Sequence, residues 1–270
     1  MAQFDIIIVG SGFGGSVTAE RLARAGRSVL ILERGDWWYR ANYEGRERRG
    51  EPMAYRQPDG STRYIGGRKL FEHAVDPKYV YSLYEDIISD DVFIGVAAAV
   101  GGGSVIFSNV TERAPRRVFD TRPWPTYTDE AGQQKDWGYG YLSLLYDRVE
   151  GVGGRPPGIE THIPTVEPPR YQILKRVLED IYGPGAFPPA RVAVSRSVGD
   201  YEDGRLIPET EIGACRNCGF CNFGCVYAAQ QNLMANYLAR AEIAGARIWP
   251  NKSVTRLSFN PTAREWTVYY

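Results

Sequence analysis

The chain has 270 residues, 43% hydrophobic and 24% charged, proportions ordinary for a soluble globular protein and unlike those of a disordered one. Its 32 basic and 32 acidic residues balance, so no global field draws it to nucleic acid or to an anionic lipid surface. The length allows one large core or two modest ones.

An apolar run, Phe4-Asp5-Ile6-Ile7-Ile8-Val9, feeds directly into Gly10-Ser11-Gly12-Phe13-Gly14-Gly15. Gly10, Gly12 and Gly15 fit the G-x-G-x-x-G spacing, which turns the strand sharply, brings backbone N–H groups against a pyrophosphate and packs the next helix closely on the sheet. Residues 16–25 read as an amphipathic helix, with apolar Val17, Leu22 and Ala25 between Glu20, Arg21 and Arg24, closed by Gly26. Ser28-Val29-Leu30-Ile31-Leu32 reads as a second buried strand ending in Glu33, about where an acidic side chain accepts the hydroxyls of an adenosine ribose. Strand, turn, helix, strand and acid in that order predict an α/β fold, a Rossmann-like domain with a parallel sheet flanked by helices. The first strand begins too early for a secretory leader to precede it, so a cytoplasmic location is expected.

Residues 36–90 are polar, aromatic and irregular, with Trp37-Trp38-Tyr39 at one end and the charged tract Arg46-Glu47-Arg48-Arg49 inside, and read as a lid or surface excursion. Residues 92–111 carry no charge and match a bilayer in length. Gly95, Gly101, Gly102, Gly103, Ser104, Ser108 and Asn109 dilute that stretch, so it reads as a buried loop against a ligand and no membrane span is expected. Residues 112–170 are rich in proline and aromatics, with one helical stretch at 141–149. In residues 171–182, Ile173, Leu174, Val177, Leu178 and Ile181 recur at helical spacing until Gly183-Pro184-Gly185, which predicts a docked amphipathic helix.

All four cysteines fall in one run, Cys215, Cys218, Cys221 and Cys225, at C-x₂-C-x₂-C-x₃-C spacing. Thiolates so spaced on a glycine-relieved loop can converge on an iron–sulfur cluster, 3Fe-4S or 4Fe-4S; zinc on four thiolates and plain reduced cysteines are the alternatives. Residues 231–244 then read as a helix, and residues 246–249, 253–259 and 265–270 as strands, the last two joined by an Asn260-Pro261-Thr262 turn. The alternating final strand leads us to expect the N-terminal part of a longer protein.

Several of these segments together resemble the glucose-methanol-choline (GMC) oxidoreductases, in the bacterial branch that includes cholesterol oxidase-like proteins. They are Val9-Gly10-Ser11-Gly12-Phe13-Gly14-Gly15-Ser16, Leu32-Glu33-Arg34-Gly35, Val100-Gly101-Gly102-Gly103-Ser104 with Asn109, Tyr146-Asp147-Arg148-Val149, and Asn232-Leu233-Met234-Ala235-Asn236-Tyr237-Leu238. The resemblance implies FAD as the cofactor. It implies that Gly10, Gly12, Gly14, Gly15, Glu33 and Arg34 hold the ADP half, that Gly101, Gly102, Gly103, Ser104 and Asn109 lie along the cofactor near the flavin, and that backbone at Val254 contacts the adenine. Ala98 and Phe107 depart from the family, whose members often carry polar residues there. The family's catalytic histidine lies near the C-terminus of much longer chains. His73 and His162 are the two histidines of this chain, neither in that context, so no catalytic residue is assigned.

The resemblance divides the chain into an FAD-binding domain (1–35, 91–112 and 226–270), a lid (36–90) and a partial substrate or cap region holding the cysteine run (113–225). The expected function is oxidation of an alcohol CH–OH group by hydride transfer to flavin, with electrons passed to an external acceptor, and with a redox protein or the missing C-terminal half as partner. A stand-alone flavin and iron–sulfur electron-transfer protein or split subunit without its own substrate chemistry, and a metal-stabilised dinucleotide-binding module, are the alternatives.

Overall fold

A computed structural model of the chain describes residues 3–37, 54–56, 62–64, 69–71, 82–88, 93–121, 123–152, 158–164, 167–194, 215, 217, 219, 221–223, 225 and 229–270. In chain order its elements are β1 (Ile6–Val9), α1 (Phe13–Arg24), β2 (Val29–Leu32), β3 (Ala54–Arg56), β4 (Thr62–Tyr64), β5 (Lys69–Phe71), β6 (Ser82–Ile88), β7 (Phe93–Ala97), α2 (Arg116–Phe119), β8 (Thr126–Thr128), β9 (Gln134–Asp136), α3 (Tyr139–Glu150), α4 (Pro169–Tyr182), α5 (Tyr237–Ile243), β10 (Arg247–Trp249), β11 (Arg256–Asn260) and β12 (Glu265–Tyr269). They form two compact units, residues 1–108 with 195–270, and residues 109–194.

The first unit is built on a parallel sheet in which β2 lies between β1 and β10. All four residues of β2 are buried, so its continuous apolar run reflects cover on both faces. Helix α1 lies against α5. Its buried residues are Ser16, Ala19, Glu20 and Ala23, not the expected Val17, Leu22 and Ala25; small side chains let the two helices approach, and Ala25 is the C-cap. Glu20 is tolerated there because Arg24 Nη1 lies 3.0 Å and Arg240 Nε 3.8 Å from its Oε1.

Residues 36–90, expected to be irregular, contribute β3–β4, an antiparallel ribbon, and β5 and β6, which pair in parallel. Strand β7, antiparallel to β6, occupies the start of the uncharged stretch expected to be a loop. The glycine-rich part of that stretch forms a 3-10 turn at Gly102–Val105. Nor is 231–244 a single helix. Asn232 Oδ1 accepts the N–H of Ala235 at 3.2 Å and Asn236 Oδ1 that of Tyr237 at 2.6 Å, so each caps its own element, a 3-10 turn at Leu233–Ala235 and α5. The β11–β12 hairpin starts later than expected, and Asn260 Oδ1 takes the N–H groups of Thr262 and Ala263 in its turn.

In the second unit, the β8–β9 hairpin sets Tyr127 against Trp137, and Trp137 against Tyr141 of α3, with ring centroids 4.5 and 4.6 Å apart. Arg113 reaches Glu150 through Nε and Nη2 and Asp147 through Nη1. The docked helix expected here is a helix but not a docked one: α4 buries no residue, and Ile173 and Ile181 are 64% and 63% exposed. Local contacts hold it. Tyr171 stacks on Phe187 and donates to its carbonyl, Lys175 pairs with Glu167 at 2.8 Å, and Gly183 ends the helix at φ 96°. Among the described residues no helix is long and apolar enough to cross a membrane.

Candidate dinucleotide-binding site

The turn after β1 and the first turn of α1 form an open cradle. Gly10 adopts φ 88°, a conformation that glycine permits, and its N–H donates to Leu32 O at 2.8 Å, fixing the turn to β2. A Cβ on Gly15 would lie 2.1 Å from Gly10 O, so only glycine lets α1 pack this close. The N-cap is Gly12, with no side-chain cap and no acidic residue in the first turn. The leading N–H groups of α1 and its positive dipole end are thus available to an anion.

The second glycine run meets the first: a Cβ on Gly102 would lie 2.9 Å from Gly12 Cα. By contrast, a Cβ on Gly12, Gly14 or Gly103 would enter open space. Glycines from both runs therefore line a surface that lacks side chains, the arrangement a pyrophosphate needs to reach backbone N–H groups.

A buried hydrogen-bond relay joins the two runs. Glu33, 6% exposed, accepts at Oε2 from Ser11 N–H (2.8 Å) and Ser11 Oγ–H (2.6 Å), and at Oε1 from Gly35 N–H (2.9 Å). Ser11 Oγ in turn accepts from Gly101 N–H at 2.9 Å. Ser104 Oγ donates to Gly101 O at 2.7 Å and accepts from Leu233 N–H at 3.0 Å. The sequence pattern marked Glu33, Gly101 and Ser104; it missed Ser11 and Leu233. A serine between two fingerprint glycines is a signal only once its partners, 22 and 90 positions away, are placed.

Past β10 the chain continues beside Glu33, with Glu33 N–H donating to Trp249 O (3.0 Å) and Lys252 N–H to Glu33 O (2.8 Å). Val254 follows in a half-buried link before β11 rather than within a strand. Arg34 is half-buried beside Gly35, whose own Cβ would lie 2.1 Å from the Ala98–Ala99 peptide. Asn109 opens the second unit. It is fully buried at φ 62°, and among the described residues both of its side-chain amide atoms lack a hydrogen-bond partner.

Of the cysteines, Cys218 lies outside the described residues, as does His73. Cys215, Cys221 and Cys225 are half-buried. Cys215 Sγ accepts from Asn217 N–H at 3.4 Å and Cys225 Sγ from Ala229 N–H at 3.2 Å. Among the described residues no three His, Cys, Asp or Glu side chains are grouped to hold a metal ion. The turn at Cys221–Phe223 is tied to the flank of the second glycine run, where Ser108 Oγ donates to Asn222 Oδ1 at 2.8 Å, and to β6, where the Tyr84 hydroxyl donates to Asn222 O. His162 belongs to the second unit, in backbone pairing with Val192.

Parallel strands, glycine turn, uncapped helix and terminal acid define a Rossmann-like dinucleotide-binding protein. The description of NAD(P)-binding Rossmann-like domains matches residues 8–37. The chain is 28% identical to a cholesterol oxidase of Acinetobacter baumannii, over 93% of this chain and 41% of the relative. It is 27% identical to a cholesterol oxidase of Mycobacterium tuberculosis, over 93% and 39%. A long-chain-alcohol oxidase of Arabidopsis thaliana shares 49% identity over 114 residues, 42% of this chain and 12% of the relative. Among solved structures, a fungal aryl-alcohol oxidase superposes with a TM-score of 0.56 at 13% identity, covering 100% of this chain and 44% of that one. An FAD-dependent oxidoreductase from Chaetomium thermophilum gives 0.55 at 15% identity, covering 99% and 44%. These two likenesses are of fold. These relatives, cholesterol oxidases and a long-chain-alcohol oxidase, support a GMC oxidoreductase assignment, and the chain spans about two fifths of the length of the cholesterol oxidases it matches.

Proposed function

We propose that this chain is the N-terminal, cofactor-holding part of an FAD-dependent GMC-type oxidoreductase that oxidises the CH–OH group of a sterol-like or long-chain alcohol. The observation that carries this reading is the side-chain-free cradle at Gly12, Gly14 and Gly103, set at an uncapped helix N-terminus with Glu33 at the end of the neighbouring strand. FAD bound there would supply the hydride acceptor. The N–H groups of Phe13 and Gly14 take the pyrophosphate, Glu33 offers its remaining lone pair to a ribose hydroxyl, and backbone at Val254 borders the adenine. Gly10 and Gly15 shape the turn, Arg34 flanks the acid, and Gly101, Gly102, Gly103 and Ser104 carry the cradle onward. Asn109 is carried over as the flavin contact from the family resemblance alone. Residues 1–35, 91–112 and 226–270 make up the cofactor domain, 36–90 a lid and 113–225 part of the substrate region. The base that takes the hydroxyl proton comes from polypeptide beyond those residues.

The cysteine run enters this reading through its spacing alone: Cys215, Cys218, Cys221 and Cys225 would be the ligands of an iron–sulfur cluster, and a cluster there would give electrons an exit to an external acceptor, the behaviour of a dehydrogenase. An anaerobic absorption spectrum of the purified chain, with iron and acid-labile sulfide assayed on the same sample, tests both parts. Flavin with iron and sulfide is the expected result. Flavin without iron overturns the cluster and returns the oxidase reading, and a chain that takes up no added FAD overturns the cofactor assignment.

A further inference from the structure

The relay through Ser11 does more than satisfy buried groups. It joins four stretches of chain far apart in sequence: the Glu33 carboxylate, the first glycine turn, the Gly101 turn and, through Ser104, Leu233, with separations of 22, 90 and 129 residues along the way. Ser11 and Ser104 are both fully buried, and each hydroxyl has donor and acceptor roles filled, so each has one orientation. Among the described residues the Gly101 N–H has only Ser11 Oγ as its acceptor, and Gly101 begins the turn that presses against Gly12.

We propose that Ser11 is a positioning residue for the dinucleotide: its hydroxyl, held between Glu33 Oε2 and the Gly101 N–H, locks the two glycine runs in register so that they present one cradle. This rests on the cofactor reading above. Without the hydroxyl, Glu33 loses one of its three donors and the Gly101 N–H is left buried and unpaired. The second run then drifts from the first, and the cradle no longer matches both halves of the ligand at once.

The test uses the chain with FAD itself as the probe. Ser11→Ala should weaken FAD binding about 10- to 100-fold in a flavin-fluorescence titration, less than the full worth of one charge-assisted and one neutral buried hydrogen bond, because the ligand feels only the displacement of the cradle and not the lost bonds themselves. It should also speed amide hydrogen exchange at residues 101–104, measured without FAD. Ser16→Ala is the matched control. That hydroxyl is equally buried and donates to Ser11 O at 2.5 Å, but it does not reach the second run; it should lower the melting temperature and leave both readouts near wild type. Ser104→Ala, one link further along, should speed exchange at Gly101 and Leu233 and weaken FAD less, and it decides the matter if Ser11→Ala does not fold. Unchanged affinity and exchange in Ser11→Ala, or equal losses in Ser11→Ala and Ser16→Ala, overturn the proposal. A wild-type chain that takes up no FAD overturns the cofactor reading instead, and the flavin-free exchange then shows whether the clamp is structural alone.

Discussion

Two glycines of the first run separate a nucleotide grip from a merely tight turn. Gly12 sits at φ −65° and ψ −169°, which alanine adopts freely, and a Cβ there meets nothing within 4 Å. Replacing it with alanine forfeits part of a glycine N-cap, about 0.5–1 kcal/mol, and regains about 0.4–1 kcal/mol by restricting the unfolded chain. The folded state should thus change by less than about 1 kcal/mol. The new methyl occupies the space through which a pyrophosphate approaches the α1 N–H groups. Losing two charge-assisted hydrogen bonds at about 1.5–3 kcal/mol each weakens FAD by roughly 10²- to 10⁴-fold. Gly15→Ala is the opposite case, since its Cβ would sit 2.1 Å from Gly10 O and 3.2 Å from Ile8 Cγ2. Forcing α1 off the sheet costs about 1–3 kcal/mol or more before any ligand is added. Thermal melts of the flavin-free proteins and FAD titrations of both variants separate the two effects. If Gly12→Ala binds FAD like wild type, or melts as low as Gly15→Ala, the open cradle is not a phosphate site.

Gly35→Ala would set a Cβ 2.1 Å from the Ala98–Ala99 peptide and disturb the Val100 N–H to Asp36 O and Gly35 N–H to Glu33 bonds, so a chemical melt should show a loss of about 3 kcal/mol or more. The backbone N–H of Ser28, then its hydroxyl and the nearby Arg27 charge, hold Asp5 below the usual carboxylate range. A depressed carboxyl contributes stability above its unfolded pKa, and that contribution disappears as pH falls through the folded value. Asp5→Asn should therefore flatten the acid limb of the stability profile below about pH 4, and an unchanged limb counts against the Ser28 contacts. On α4, Ile173→Ser with Ile181→Ser should reduce binding of a hydrophobic dye and change stability by no more than about 0.5 kcal/mol, because both side chains already face solvent.

What could be read in advance follows the range over which each signal acts. The β1–α1–β2 unit was legible because strand, glycine turn, helix and acid are specified within a short stretch, and the pairing Ile6↔Val29 through Val9↔Leu32 completes it. The face of α1 was misjudged because hydrophobicity predicts which side chains avoid water, whereas close contact with α5 selected for size and placed Ala19, Ala23 and even Glu20 inside. The single helix expected over 231–244 divides because Asn232 and Asn236 turn their side chains back on the main chain, a competition that apolar spacing does not register. Strand β6 escaped notice because Glu85 and Asp86 break the alternation of Ser82–Ile88, so its place comes from its partners β5 and β7. For α4 the periodicity was right and the inference from it was not: a 3.6-residue apolar stripe predicts a helix, while its burial depends on what lies beside it.

Glu33 unites the sequence signal with the geometry of the site. A carboxylate has about four lone-pair positions. Ser11 N–H and Oγ–H take two at Oε2 and Gly35 N–H takes one at Oε1, which leaves one open, on Oε1. On the proposed cofactor reading, the acid would accept a single ribose hydroxyl rather than grip both, with three donors already on its carboxyl. A 2′-phosphate at that position would meet a buried anion with no cation among its direct hydrogen-bond partners, a costly pairing in a site of low dielectric. If the proposed cofactor reading holds, the donors that tie the glycine turn to β2 would also leave Glu33 as an acceptor for a hydroxyl and a barrier to a phosphate, favouring FAD or NAD over NADP through hydrogen-bond geometry at one side chain.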